Sequence, residues 1–175
     1  MTLTTRPTKL LLAAFVAAAT FVPITPALSA QSDLDLLQSY VGGWKGRGNT
    51  TNANGTETVR CKLDITRAAD AKVNYKGRCA LAGGNLSING TMAYISERRR
   101  FEAVMSSNTA FRGIAVGKRR GSGIDFRLRD RDPETGAEFE IEAGIALSGG
   151  NINVEFSVLE KASGRKITAS VPFKK

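Results

Sequence analysis

The chain contains no histidine. That excludes histidine-based catalytic triads and histidine ligation of zinc. Cysteine is almost as scarce: Cys61 and Cys79 are the only two. Their spacing is not a Cys-x-x-Cys redox motif, and bonded to each other they leave no thiol for nucleophilic attack or metal binding. Beyond the first thirty residues no stretch is apolar enough to span a bilayer. Acidic residues are the rarer charge, 16 against 25 lysines and arginines, for a formal net charge of +9. No carboxylate pair converging on an apolar face is evident from the spacing. These absences point to a protein that is not an enzyme and needs no cofactor or metal.

The N-terminus carries the layout of a cleaved secretory signal. Arg6 and Lys9 form a basic start, an apolar run extends from Leu10 to Val22, Pro23 and Pro26 break it, and Ala27-Leu28-Ser29-Ala30 follows. Cleavage is expected after Ala30, with an uncleaved anchor as the alternative. The run is shorter than the roughly 20 residues a spanning helix needs. The absence of cysteine near the cut argues against a lipid anchor. Residues 1–30 are thus read as signal and 31–175 as one domain, long enough to bury its own core. Loss of Arg6 and Lys9 lowers the formal charge from +9 to +7. Export removes nucleic acid as a partner and leaves anionic lipid, lipopolysaccharide or polysaccharide of the envelope. An ordinary solubilising surface is the alternative.

From Tyr40 onward apolar residues mostly alternate, punctuated about every ten residues by Gly, Asn, Asp or Pro, the signature of a sandwich or barrel. Only Asp33 to Ser39 reads as helix, capped by Ser32 or Asp33. Opposed residues in an antiparallel hairpin have a constant sum of numbers. Pairing Cys61 with Cys79 centres a turn on Asp70, sets Val59 against Leu81 and Ile65 against Tyr75, and places the disulfide on the apolar face, where opposed Cβ atoms lie close. A two-residue turn at Gly83-Gly84 opposes Leu81 to Leu86, Cys79 to Ile88, Tyr75 to Met92 and Val73 to Tyr94. Gly149-Gly150 opposes Leu147 to Ile152, Ile145 to Val154 and Ala143 to Phe156. A turn at Ala162-Ser163 opposes Val158 to Ile167, Phe156 to Ala169 and Val154 to Val171. Around the turn 132–136, Arg127, Arg129 and Arg131 face Glu138, Glu140 and Glu142. The expected fold is therefore all-β: a single antiparallel up-and-down barrel of about ten strands after a short N-terminal helix. A barrel is preferred to a sandwich because long crossovers are missing and closure removes exposed edges.

The segment Gly42-Gly43-Trp44-Lys45-Gly46-Arg47-Gly48 resembles the Gly-x-Trp start of lipocalin-like and fatty-acid-binding-like (calycin) barrels. The resemblance implies that Trp44 plugs the closed end, with Arg165 or Lys166 packed over it as a cation–π partner. It also implies a small hydrophobic ligand. The lack of histidine sets the chain apart from calycin-like haem barrels that use one. Gly46 and Gly48 read as sites of a tight strand bend. The longer pattern, Trp-x-Gly-x-Gly followed by Arg60-Cys61, Arg78-Cys79 and Gly-rich hairpins, is similar to a group of exported bacterial proteins. That similarity implies a periplasmic location and assigns no activity.

Two apparent motifs carry no chemistry. Residues 130–134 look like the start of a calcium loop, but Ile141 stands where a bidentate Glu is needed. Residues 113–119 look like a phosphate loop but lack its Ser or Thr. The candidate functional residues lie elsewhere. Tyr75, Met92, Tyr94, Phe101 and Met105 are expected to line a cavity. Arg112 would point into it, ready for a carboxylate or phosphate, if Ile114 and Val116 face inward. Arg98, Arg99 and Arg100, with Lys118, Arg119 and Arg120, would form a basic rim that steers an anionic ligand to the mouth. The leading expectation is a monomeric periplasmic, or secreted, barrel that binds a small hydrophobic or anionic amphipathic molecule. The alternative is an envelope protein that works through its basic surface.

Overall fold

A computed structural model describes residues 26–108 and 112–175. Of the signal segment expected over residues 1–30, residues 1–25 lie outside them and residues 26–30 belong to the first helix. Helix α1 (Pro26–Ser39) leads into β1 (Gly42–Asn52), β2 (Gly55–Ala69), β3 (Lys72–Leu81), β4 (Gly84–Ile95) and β5 (Arg100–Ser107). β6 (Arg112–Arg120), β7 (Gly123–Arg131), β8 (Glu138–Ser148), β9 (Asn151–Glu160) and β10 (Lys166–Lys174) complete the chain. Each strand pairs antiparallel with its sequence neighbours, and β10 pairs with β1 to close the ring. The expected up-and-down barrel is the observed one.

The helix differs from expectation. It starts at Pro26 and runs through Ser32 and Asp33, so neither is a cap. Ser32 instead donates back to the Ser29 carbonyl at 2.8 Å, and Asp33 pairs with Arg119 at 3.1 Å. The helix closes one end of the barrel: Leu36, Leu37 and Tyr40 are buried beneath it with Trp44, Val73 and Phe101.

Alternation fixes the registers. Cys61 opposes Cys79, and the two are disulfide-bonded with Cα atoms 4.1 Å apart. The pairs predicted around residues 149–150 and 162–163 all occur, as do the three Arg–Glu rungs of β7 and β8. Two of those rungs form ion pairs, Arg127–Glu142 at 3.1 Å and Arg131–Glu138 at 3.3 Å. The β3–β4 hairpin is offset from expectation by two residues. Ala82 and Gly83 form the turn, so Leu81 meets Gly84, Cys79 meets Leu86, Gly77 meets Ile88, Tyr75 meets Gly90 and Val73 meets Met92. The Glu57 carboxylate accepts the Ala82 N–H at 3.0 Å and so ties this turn to β2. A slip of two leaves each side chain on its predicted face, because the side-chain period of a strand is two.

The glycines of β1 permit close strand approach. A Cβ at Gly46 would meet the Val171 and Phe173 side chains, and one at Gly48 would overlap the Ser170 carbonyl oxygen of β10. The tight path expected of β1 is thus a backbone-to-backbone contact with β10. Gly48→Ala is expected to destabilise the fold by about 1–3 kcal/mol, since that carbonyl belongs to the ladder and cannot simply move aside. Urea unfolding at constant m-value would measure it.

The ladder is weakest between β6 and β7. Its pairs run only from Val116–Arg127 to Arg120–Gly123. Residues 113–115 pair with β5, and residues 128–131 with β8, but not with each other. Side-chain packing bridges the parted backbones, with Leu128 lying over Gly113.

Candidate ligand-binding cavity

Ten strands enclose more space than the side chains of this sequence fill. The helix end is packed solid. Trp44 donates its indole N–H to the Tyr40 carbonyl at 2.9 Å, and Tyr40 donates its hydroxyl to the Ile145 carbonyl at 3.0 Å. Burial pushes the Tyr40 phenol far above its ordinary pKa. Tyr94 and Phe101 pack with ring centroids 5.1 Å apart. Desolvation raises the Tyr94 phenol, and the neighbouring Asp33 carboxylate adds to the effect.

The other half of the barrel contains a cavity of about 550 Å³. Small-molecule sites run from roughly 300 to 1,000 Å³ and are mostly apolar. The walls here carry Val59, Leu63, Phe126, Ile141, Phe156 and Val171, together with the disulfide. The cavity extends to residues 83–86 and Ile167, at the end opposite the helix. Ile167, 45 % exposed, forms an apolar lip there. Two hydroxyls of the wall are already engaged. Tyr75 donates its hydroxyl to the Val104 carbonyl and Thr50 to the Thr168 carbonyl, each at 3.1 Å. Burial raises the Tyr75 phenol to about 12, so it remains a neutral donor.

The expected lining residues divide into two groups. Tyr75, Met92 and Met105 face the cavity. Tyr94 and Phe101 do not; they belong to the packed helix end. The condition attached to Arg112 is not met: Ile114 and Val116 are exposed on the outer surface at 59 % and 36 %, while Ala115 faces the cavity. The Arg112 side chain lies outside the described residues.

The partner of Trp44 also differs from expectation. Lys175 Nζ lies 5.0 Å from the ring centroid. Arg165 instead bonds to Glu160 at 2.7 Å, at the other end of the barrel. Antiparallel pairing sets Lys174 beside Lys45 and Thr168 beside Thr51. The start of β10 therefore cannot reach Trp44.

The basic rim is displaced for the same topological reason. The turns that carry Arg98, Arg99 and Arg100 and Lys118, Arg119 and Arg120 do share an end of the barrel, but it is the helix-closed end. Arg98 and Arg100 pair with Glu102, Arg119 with Asp33 and Arg120 with Asp125. Arg100 is the first cause of the lowered Glu102 pKa. These groups fasten the helix and neighbouring strands; they do not surround the mouth.

Inward strand parity places three carboxylates at the mouth that were missed in the sequence. Glu57 precedes Val59 on β2 and lines the cavity. Asp130 and Glu160 hold the inner positions just beyond Leu128 and Val158, and Phe139 lies between them on one rung. They are spread around the ring, Glu57 on β2, Asp130 on β7 and Glu160 on β9. The Ser163 hydroxyl and Arg165 hold Glu160 below its ordinary pKa, so it is not a proton donor at neutral pH.

The chain matches no family model and no curated protein sequence. Two solved structures share its architecture. The S-type phycobiliprotein lyase CPES from Guillardia theta is 14 % identical, with a TM-score of 0.54 over 86 % of this chain and 96 % of the lyase. Rv2717c from M. tuberculosis is 16 % identical, with a TM-score of 0.64 over 83 % of this chain and 96 % of that protein. Both share the closed antiparallel barrel described above. At these identities the likeness is one of fold. One neighbour is named a lyase, so the barrel itself does not argue against catalysis. No helix among the described residues is long and apolar enough to cross a membrane.

Proposed function

We propose that this chain is an exported, monomeric, non-enzymatic carrier that holds one small lipid-like molecule inside the barrel. The cavity carries the reading: about 550 Å³ of apolar space, closed by the helix and open at the far end. The Cys61–Cys79 disulfide accords with a compartment outside the reducing cytoplasm, and the signal layout points to the periplasm. The absence of histidine supports the non-enzymatic part.

Calorimetric titration with dodecanol tests the proposal. One molecule should bind per chain. Ala143 lines the cavity between Phe126 and Phe156. Ala143→Trp should therefore fill the site and weaken binding by about 30-fold or more, while leaving the fold intact, because the new ring enters existing space. Equal affinity in the two proteins would overturn the proposal.

The alternative, an envelope protein acting through basic surface, would operate at the helix end. Lys118, Lys174 and Lys175 lie there beside the arginine turns. Binding to anionic vesicles at low ionic strength that vanishes in about 1 M salt would favour it, since screening over roughly 3 Å removes exposed electrostatics.

A further inference from the structure

The chemistry of the cavity wall bears on the kind of head group its ligand carries, a question that rests on the carrier reading above. The described inner wall offers an anion little: Lys62 borders the cavity, but it is exposed and alternates with the inward Cys61 and Leu63, so it sits on the outer face. The Tyr75 and Thr50 hydroxyl protons are committed to backbone carbonyls. The basic clusters stand at the opposite end, paired with Glu102, Asp33 and Asp125. At the mouth the inward-facing charge is negative. Glu57 lines the cavity, and among the described residues its Oε2 alone is engaged, by the Ala82 N–H at 3.0 Å. That bond fixes the carboxylate at the lip and leaves Oε1 to accept another proton. Across the ring, Asp130 stands just beyond Leu128 at the inner position of β7, with Oδ1 accepting the Arg131 N–H at 2.8 Å. Glu160 faces inward as well, but Arg165 balances its charge. The neighbouring arginines of β7, Arg127 and Arg131, lie on the outer face against Glu142 and Glu138.

We propose that the cavity selects a cationic amphiphile: an apolar body within the barrel and an ammonium or similar hydrogen-bond-donating head at the mouth, held by Glu57, with Asp130 adding negative charge on the far side of the ring. A fatty carboxylate of equal length would set like charges against each other at a partly desolvated lip. The anionic amphipathic ligand expected from the basic rim is thereby replaced by one of opposite charge. Glu57 acts as a specificity-determining residue, since the alkyl chain binds through the apolar wall in either case.

The test compares three twelve-carbon ligands, dodecylammonium, dodecanol and dodecanoate, below their micelle concentrations at neutral pH and low salt. Each displaces a neutral naphthylamine probe from the full chain. Dodecylammonium is expected to bind about tenfold more tightly than dodecanoate, an increment typical of one favourable charge contact. In Glu57→Gln with Asp130→Asn the ratio should fall below about threefold, chiefly through weaker binding of dodecylammonium. Because the turn bond from Ala82 can pass to the glutamine oxygen, the variant should fold; circular dichroism checks this. Independently of any variant, rising salt should compress the wild-type preference. Equal or tighter binding of dodecanoate, or a preference insensitive to both charge removal and salt, overturns the inference while the carrier function stands. Failure of the probe and of dodecanol to bind at all overturns both.

Discussion

Trp44→Ala should destabilise the protein by about 3–5 kcal/mol, the range for emptying a buried aromatic site. Three observations set the size of the effect. Trp44 is 2 % exposed, its indole N–H satisfies the Tyr40 carbonyl, and its ring carries the Lys175 ammonium at 5.0 Å. Alanine would leave a hole under the helix and a buried carbonyl without its donor, while Tyr40 still needs its own anchor at Ile145. For a domain of this size, each kcal/mol lowers the melting temperature by about 2–4 °C, so a fall of about 6–20 °C is expected. Trp44→Phe separates the contributions. It keeps most of the packing and loses the hydrogen bond, so it should cost about 1–2 kcal/mol. Differential scanning calorimetry of the three proteins measures both steps. A Trp44→Ala protein within 3 °C of wild type would mean that the helix end is not the closed end of the barrel.

The second large effect concerns the disulfide. Replacing Cys61 and Cys79 together by serine should lower stability by about 3 kcal/mol, from the chain-entropy cost of reopening a loop spanning 18 residues. The corresponding fall in melting temperature is about 6–12 °C under oxidising conditions. The fold should persist, because the flanking pairs, Ile65 with Tyr75 and Arg60 with Ala80, belong to a ladder that does not depend on the bridge. Both sulfur atoms border the cavity, so serine also places two hydroxyls in its apolar wall, and dodecanol affinity should drop modestly. If the double variant and wild type melt together under oxidising conditions, the bridge is absent in solution.

The barrel was legible in the sequence because a strand repeats its faces every second residue. Val154, Phe156 and Val158 meet Val171, Ala169 and Ile167 in a register that keeps apolar side chains together, and this holds in the structure. The same parity has a blind spot: it cannot distinguish registers that differ by two. The β3–β4 hairpin slipped by that amount because Glu57, a residue from a third strand, holds the N–H of Ala82. Helix α1 was read as too short because Pro26-Ala27-Leu28-Ser29-Ala30 resembles a cleavage region more than a helix start.

At the site, the inward residues of the cavity half were readable, and their depth was not. Met92 and Tyr94 share a face of β4, yet only Met92 reaches the cavity. The helix fills the level of Tyr94, and no local pattern records how far a plug descends. The misplacement of Arg165 and of the basic rim had a different origin. In a ring of ten up-and-down strands, the start of β10 lies at the end remote from Trp44, and Lys174 and Lys175 lie beside it. Counting turns would have shown this, and would also have shown that residues 98–100 and 118–120 border the helix. Glu57, Asp130 and Glu160 were passed over because they stand at strand ends, where alternation is hardest to separate from turn composition.

The position of Trp44, the single tryptophan of the chain, at the closed end makes it a built-in reporter for the cavity above it. Titrating a neutral naphthylamine probe while exciting tryptophan measures energy transfer from that fixed point into the barrel. An occupied interior predicts Trp44 quenching that saturates at one probe per chain and is reversed by excess dodecanol. Quenching that rises without saturation, or none at all, would show that the barrel interior does not take up a ligand and would contradict the account at its centre.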